Sequence, residues 1–146
     1  KVENVEAFTK RFEDFVSQHI LPEQTSAVID IDAEIDFRDI TPRFFSDLKK
    51  FNPFGPDNMK PIFCTHHVYD YGTSKVVGRD QEHIKLELID DKSNTPIHGI
   101  AFGMRQHNTH IKNMKPFNIC YTIEENTYNG NTSLQLMVKD IKENDI

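Results

Sequence analysis

The sequence predicts a mainly β fold with some α-helix, in which a five-stranded barrel follows a helix–strand–helix segment. Three observations lead to this prediction. From residue 62 onward, five runs alternate apolar and polar residues, and a period of two is typical of strands that bury one face. A polar stretch at 105–114 separates the third run from the fourth. Before residue 52, two stretches carry apolar residues at spacings of three and four, as amphipathic helices do.

The composition is that of an ordinary folded domain. The chain has 146 residues, of which 37% are hydrophobic and 27% are charged, so it can bury a core. No apolar run approaches the roughly 20 residues of a membrane span and no signal peptide is evident, so we expect a cytoplasmic protein without membrane contact. The first residue is Lys, and we expect the sequence to be a trimmed piece of a longer protein.

The charge balance limits the kind of partner. The formal net charge is −6, which excludes a DNA binder that depends on overall positive charge. A nucleic-acid site would therefore have to be a local basic patch.

The N-terminal third predicts a helix, a strand and a second helix. Residues 3–21 have the helical period and Pro22 ends them. Residues 27–36 read AVIDIDAEID, a half-buried strand whose acidic face is either a set of metal ligands or, as we favour, a solvated edge. The second helix begins with Thr41 as N-cap and Pro42 in its first turn, and the prolines of 52–61 end it. Its predicted apolar stripe is Phe44, Phe45, Leu48 and Phe51.

The five strand runs follow in a characteristic order. Gly72 predicts a bend or bulge in the first run, the polar stretch predicts a short helix, and Asn129-Gly130 predicts a tight hairpin turn. The order β-β-β-α-β-β suggests an OB-fold barrel, although an SH3-like barrel or a sandwich would also have short antiparallel strands. The runs are IFCTHHVYDYGTSKVV (62–77), HIKLELID (83–90), TPIHGIAFGM (95–104), FNICYTIEEN (117–126) and SLQLMVKDI (133–141).

Candidate catalytic and metal-binding residues are few. Cys64 and Cys120 lie far apart in separate strand runs, which fits neither a disulfide framework nor a zinc site, so we expect two buried thiols in a reducing cytosol. Within "THH" at 65–67, the two histidines would lie on opposite faces of a strand. His107 and His110 would share a helix face but have no obvious third ligand nearby. No nucleophile–histidine set or phosphate loop is evident, so we expect no enzymatic activity from this chain alone.

Candidate binding residues cluster where OB-folds bind single strands, which is the face of strands two and three and the loops joining strands one to two and four to five. The first loop is GRDQE and the second is NTYNGN. Strand three alternates the large residues Ile100, Phe102 and Met104 with Gly99, Ala101 and Gly103. If the large set is inside, the small set forms a floor that a nucleic-acid backbone can approach. The candidate DNA-binding residues are Arg79, His83, Lys85, Gly103, Arg105, Asn126, Tyr128 and Asn129.

This set combines the side chains that single-strand binding requires. Arg79, Lys85 and Arg105 would contact phosphates, His83 and the two asparagines would hydrogen-bond, and Tyr128 would stack on a base. Asp80 and Glu82 flank the first arginine and reduce its local potential. We therefore expect weak to moderate, strongly salt-dependent binding.

Four segments together resemble the C-terminal region of RecJ, a family of bacterial single-stranded-DNA-specific exonucleases in the DHH phosphoesterase superfamily. The segments are PFGPDNMKPIF (53–63), VGRDQEHIKLEL (77–88), GIAFG (99–103) and ENTYNGNTSLQLMVKDI (125–141). The resemblance implies that residues 62–146 are the OB domain that contacts the DNA strand. It also implies that residues 1–36 are the end of a DHHA1 domain and that residues 37–61 are a connector.

The resemblance extends to the function of a parent protein but not to catalysis by this chain. The parent is expected to be a 5′→3′ exodeoxyribonuclease of DNA repair and recombination that uses Mg or Mn in a domain outside this sequence. The metal motifs of the DHH domain and the Gly-Gly-His motif of DHHA1 have no counterpart here, so two-metal hydrolysis is not carried over and we expect no cofactor. Asp57 and Met59 stand where the family usually has Gly and Pro.

Two functions from different classes remain open at this point. In the first, the chain binds single-stranded DNA. In the second, it is an interaction or structural module that closes the exonuclease channel or docks a single-strand-binding protein. The acidic balance favours the second.

Overall fold

The computed structural model describes residues 4–21 and 28–144 and divides the chain into two compact units, residues 1–30 and 31–146. In the first unit, α1 spans Val5–His19, which confirms the predicted helix. Most of its apolar side chains are exposed, with Phe8 and Phe12 stacked at 5.9 Å between ring centroids. We expected Pro22 to end this helix and the following strand to begin at Ala27. Both residues lie outside the described residues.

The second unit is a closed barrel of five long strands. Around the barrel the order is β2–β6–β7–β5–β4, and β4 also pairs with β2. All neighbours are antiparallel except β5 and β7. This is the order of an OB-fold, as predicted, although the whole sheet has seven strands because two short ones are added. The strands are β1 Ala33–Glu34, β2 Phe63–Asp70, β3 Lys75–Val77, β4 His83–Asp90, β5 Ile97–Ala101, β6 Phe117–Tyr128 and β7 Asn131–Glu143.

The corner at Gly72 divides the predicted first strand into β2 and β3. Gly72 has a φ of +105°, a conformation that glycine adopts without a steric penalty. The buried carboxylate of Asp70 accepts a hydrogen bond from the Ser74 backbone N–H at 3.1 Å and another from Lys112 Nζ at 3.2 Å. Burial alone would raise the pKa of Asp70, but the hydrogen bonds from Ser74, Gly72 and Lys112 outweigh it and hold this pKa below its ordinary value.

The barrel interior is lined by alternate residues of each strand. On β4, Ile84, Leu86 and Leu88 are fully buried, as their period of two predicts. The Tyr121 hydroxyl lies in the core at 2.7 Å from Thr65 Oγ1. Such a buried hydroxyl needs a partner, because burying an unpaired polar group costs free energy.

Strand β5 has the small residues Gly99 and Ala101 inside, so the floor that depended on the large set facing inward does not form. Ala101 is fully buried and Gly99 is also buried, whereas Phe102 is 53% exposed. A Cβ added at Gly99 would lie 3.4 Å from Leu136 Cβ and 3.6 Å from Leu86 Cβ. The interior beside Gly99 therefore leaves little room for a side chain longer than a methyl group.

The segment before the barrel is partly as predicted. Helix α2 spans Pro42–Leu48, and Thr41 Oγ1 accepts a hydrogen bond from the Phe44 backbone N–H at 3.1 Å, which confirms the cap. Phe51 is 62% exposed, so its assignment to the buried stripe is wrong. The predicted long strand at 27–36 is also wrong. Only the two exposed residues of β1 pair with β2, in parallel.

The predicted positions of two histidines in β2 are corrected by a bulge, and the predicted short helix is present. The β2–β6 register shifts between Thr65 and Val68. Because of this bulge, His66 and His67 both line an open groove beside β1 instead of lying on opposite faces of the strand. A 3-10 turn at Arg105–His107 and helix α3, Asn108–Lys112, form the predicted short helix.

The missing neighbour of the His107–His110 pair comes from the end of β7. Glu143 lies 2.7 Å from His107 Nδ1 and 3.2 Å from His110 Nδ1. Among the described residues, no group of three or more His, Cys, Asp or Glu side chains could hold a metal ion. No helix in residues 4–21 and 28–144 is long and apolar enough to cross a membrane.

Candidate nucleic-acid interface

The outer faces of β3, β4 and β5 form one continuous surface, which we call the outer face. Antiparallel pairing places Lys75 opposite Lys85, and Lys85 in turn opposite Ile100. Parallel pairing of β5 with β7 adds Met137 to the same row. One row across the sheet therefore runs from two lysines to two partly buried apolar side chains.

The two lysines are the most informative pair on this surface. Both are exposed, and neither makes an ion pair within residues 4–21 and 28–144. Like charges directly opposite each other in a sheet are destabilising. Glu87, two residues after Lys85 on the same face of β4, is already in contact with the Thr73 hydroxyl and lies 3.7 Å from His98 Nδ1. The positive charge of the pair thus remains available to an external anion.

Lys75 was missed by the sequence-based prediction, although a signal for it existed. Val77 and His83 flank the GRDQE loop and are register partners. Counting outward by two residues on each strand leads to Lys75 and Lys85. The prediction took residues from the loop and from the outward face of strand two, and it did not follow the strand that precedes the loop.

Four of the predicted site residues lie at the same end of the outer face. Arg79 is in the turn between β3 and β4, and His83 begins β4. Gly103 follows β5 with a φ of +68° and donates its backbone N–H to His83 Nδ1 at 3.0 Å. The Arg105 backbone N–H donates to the Glu82 carbonyl at 3.3 Å. Both arginine side chains are exposed and lack an ion pair in the described part of the chain.

His83 is held by several neighbouring residues. Because Nδ1 accepts the hydrogen bond from Gly103, the neutral ring carries its proton on Nε2, which lies 3.3 Å from Glu82 Oε1. The ring meets the Phe102 ring edge-on at 4.8 Å between centroids. A Cβ at Gly78, whose φ is +101°, would lie 3.1 Å from His83 Cδ2. The imidazole therefore fixes the position of Phe102, the large exposed aromatic side chain on this part of the surface.

The other three predicted residues lie at the β6–β7 hairpin. Asn126 and Tyr128 are in β6 itself, and the turn consists of Asn129 and Gly130, with φ values of +50° and +80°. This confirms the predicted tight turn but corrects the longer loop that we expected. Tyr128 is 73% exposed.

The register separates this hairpin from the arginines. Val138 pairs with Ala101 at the C-terminal end of β5, whereas the hairpin turn precedes Asn131. Val138 is seven residues after Asn131 in β7, which corresponds to roughly 23 Å along the strand. The structure thus gathers Arg79, His83, Gly103 and Arg105 at one end of β5 and places Asn126, Tyr128 and Asn129 beyond the other.

Comparisons with known proteins agree with this topology. The family model described as the RecJ OB domain matches residues 31–140. A crystal structure of RecJ from Thermus thermophilus in complex with Mn2+ superposes with a TM-score of 0.71 and 16% sequence identity, covering 100% of this chain and 20% of that chain. The same protein in complex with Mg2+ gives 0.67 and 16%, covering 100% and 21%. The chain therefore spans about a fifth of these relatives. No curated protein sequence matches it.

Proposed function

The chain belongs to the RecJ OB-domain family, and we propose that it binds single-stranded DNA across its outer face as the C-terminal portion of a RecJ-type 5′→3′ exonuclease. The parent is then an exodeoxyribonuclease whose metal ions, Mg or Mn, are bound in a domain outside this sequence. Within this chain, residues 1–36 are the end of a DHHA1 domain, residues 37–61 a connector and residues 62–146 the DNA-binding barrel.

The observation that carries this proposal is the row formed by Lys75, Lys85, Ile100 and Met137. Single-strand-binding surfaces combine cations that follow the phosphates with apolar or aromatic platforms beneath the bases. Two opposed lysines without ion pairs in the described structure, beside an apolar strip on the same sheet face, meet both requirements. A strand that crosses the sheet along this row would place phosphates at β3–β4 and bases at β5–β7.

The remaining residues take roles that follow from their positions. Arg79 and Arg105 contact phosphates at one end of the outer face, and Gly103 lets the backbone of the DNA approach. Phe102 stacks on a base, and His83 acts as a positioning residue because both of its ring nitrogens already face protein atoms. At the far end Tyr128 stacks, while Asn126 and Asn129 hydrogen-bond to the strand.

The test is titration of a fluorescent oligo-dT with this chain at two salt concentrations. We expect Lys75→Gln with Lys85→Gln to weaken binding on the order of 10-fold at low salt and to reduce the salt slope by about 0.7 for each lost phosphate contact. The matched control is Lys50→Gln with Lys60→Gln, which removes the same charge from two exposed ion pairs with Asp47 and Glu124. A control that weakens binding equally would show that overall charge, not the row, holds the DNA.

The alternative function is an interaction module that closes the exonuclease channel or docks a single-strand-binding protein. The observation in its favour is the open groove beside β1, which is lined by carboxylates including Glu34, Asp36 and Asp39 and repels DNA. Under this alternative, neither the affinity nor the salt slope changes in the lysine variant.

A further inference from the structure

Cys64 and Cys120 are direct partners in the antiparallel β2–β6 ladder. Both thiols are free and buried, with 5% and 8% of their surfaces exposed. Opposed residues in such a pair have Cα atoms roughly 4.5–5.5 Å apart, and disulfides require about 4.4–6.8 Å. The backbone therefore already provides the spacing of a disulfide between two cysteines that are 56 positions apart in sequence.

The two thiols lie outside the barrel core. Thr65 and Tyr121, which follow them on β2 and β6, share the buried hydrogen bond of the interior. Because side chains alternate along a strand, Cys64 and Cys120 point to the opposite face and to the same side as each other. A bond between them would link two strands without disturbing the core packing.

Small molecules can reach Cys64 from the groove beside β1. Cys64 lines that groove together with Glu34 and His66. Its Sγ lies 3.7 Å from His66 Nε2, which also lies 3.3 Å from Glu34 Oε1, so the imidazole is within reach of the thiol proton. Cys64 is therefore the first of the two to meet an oxidant, and Cys120 is the neighbouring thiol that resolves the product.

We propose that Cys64 and Cys120 are a redox modification site that closes into a reversible cross-strand disulfide when a peroxide oxidises the reduced protein. The Cys64 thiol gives up its proton, and the thiolate attacks one oxygen of hydrogen peroxide. The O–O bond breaks to give a sulfenic acid and hydroxide, and the hydroxide takes up the proton to become water. The Cys120 thiolate then attacks the sulfenic sulfur, the S–O bond breaks, and the hydroxide leaves as a second water after protonation. In total, two thiols and one peroxide give one disulfide and two waters.

The surroundings make this reaction slow and the product stabilising. Burial raises the pKa of both thiols, with Glu34 adding to the effect at Cys64 and Asp140 at Cys120. Thiolates are the reactive species, so oxidation requires sustained exposure to the peroxide. Once formed, the bond restricts the unfolded chain by closing a loop of 56 residues. The oxidation and the stabilising effect of the disulfide do not depend on the proposed DNA binding.

The test is to treat the native chain with hydrogen peroxide, block remaining thiols, and map peptides by mass spectrometry without reduction. We expect a linked pair of peptides containing Cys64 and Cys120, with the mass of two hydrogens lost from the chain. We also expect the Tm to rise by roughly 5 to 10 °C and to return when dithiothreitol is added.

Cys64→Ser and Cys120→Ser are the controls, and each should abolish both the linkage and the Tm rise. The mapping of the unsubstituted chain is decisive even if a variant folds poorly. Thiols that stay reduced would overturn the proposal, as would sulfinic acids or intermolecular disulfides that accumulate without the linked peptides.

Discussion

Two neighbouring regions of the barrel differ in the burial and pairing of their charged side chains. At the corner between β2 and β3, the carboxylate of Asp70 is buried and bonded to Ser74 and Lys112. Five residues after Asp70, the outer face begins with Lys75, which is exposed, faces Lys85, and has no ion pair in the residues that the structure describes.

The difference separates charges that hold the fold from charges that are available to a ligand. A buried, hydrogen-bonded carboxylate contributes to stability because leaving either partner unmatched is costly. Two exposed like charges facing each other contribute nothing of that kind and repel instead. We therefore expect substitutions at the corner to change stability and substitutions on the outer face to change DNA binding.

The largest effect is expected at the corner. Asp70→Asn should lower the free energy of unfolding at pH 7 by about 2 kcal/mol, because it removes a buried charge-assisted hydrogen bond. The pKa of Asp70 is lowered from 3.8 in the folded state, so its stabilisation is complete above that value and is lost as the pH falls through the folded pKa. The difference between variant and wild type should therefore shrink below pH 4.

Urea unfolding at pH 7 and pH 3 measures this difference. Asp91→Asn is the control, because Asp91 is exposed. A difference between Asp70→Asn and wild type that is the same at both pH values would refute the assignment of the stabilisation to the ionised carboxylate.

A smaller effect is expected for the aromatic side chain of the outer face. Phe102→Ala should weaken oligo-dT binding about tenfold, because stacking contributes roughly 1–3 kcal/mol per base, and it should hardly change stability, because the ring is 53% exposed. Phe51→Ala, at a ring 62% exposed on the connector, is the control for binding titration. Equal losses in both variants would argue against stacking at Phe102.

The smallest effect is the most specific. Lys75→Glu turns a repulsive cross-strand pair into an attractive one with Lys85, so the urea midpoint should rise by about 0.3 M. The same variant should weaken oligo-dT binding. Opposite changes in stability and binding are expected only of a charge kept for a ligand, and a variant that loses both would place Lys75 among the structural residues.

Local features were predicted well because they depend on a few consecutive residues. The Thr41 cap, the bend at Gly72, the Asn129-Gly130 turn and the alternation along β4 are all present. The direction of β5 was not, because alternation alone does not say which set of side chains faces inward. At Gly99 the contacts with Leu136 and Leu86 decide it, because a Cβ added there would already touch both of these residues.

By itself, the sequence determined the order of the strands, the turns and the family, since these follow from local conformational preferences and short ordered motifs. Tertiary structure alone decided which distant side chains meet: Cys64 with Cys120, Lys75 with Lys85, and Glu143 with the two histidines of the short helix. The physical reason is register. Partners across a ladder depend on where bulges fall and how the barrel closes, and neither is set by the residues of one strand.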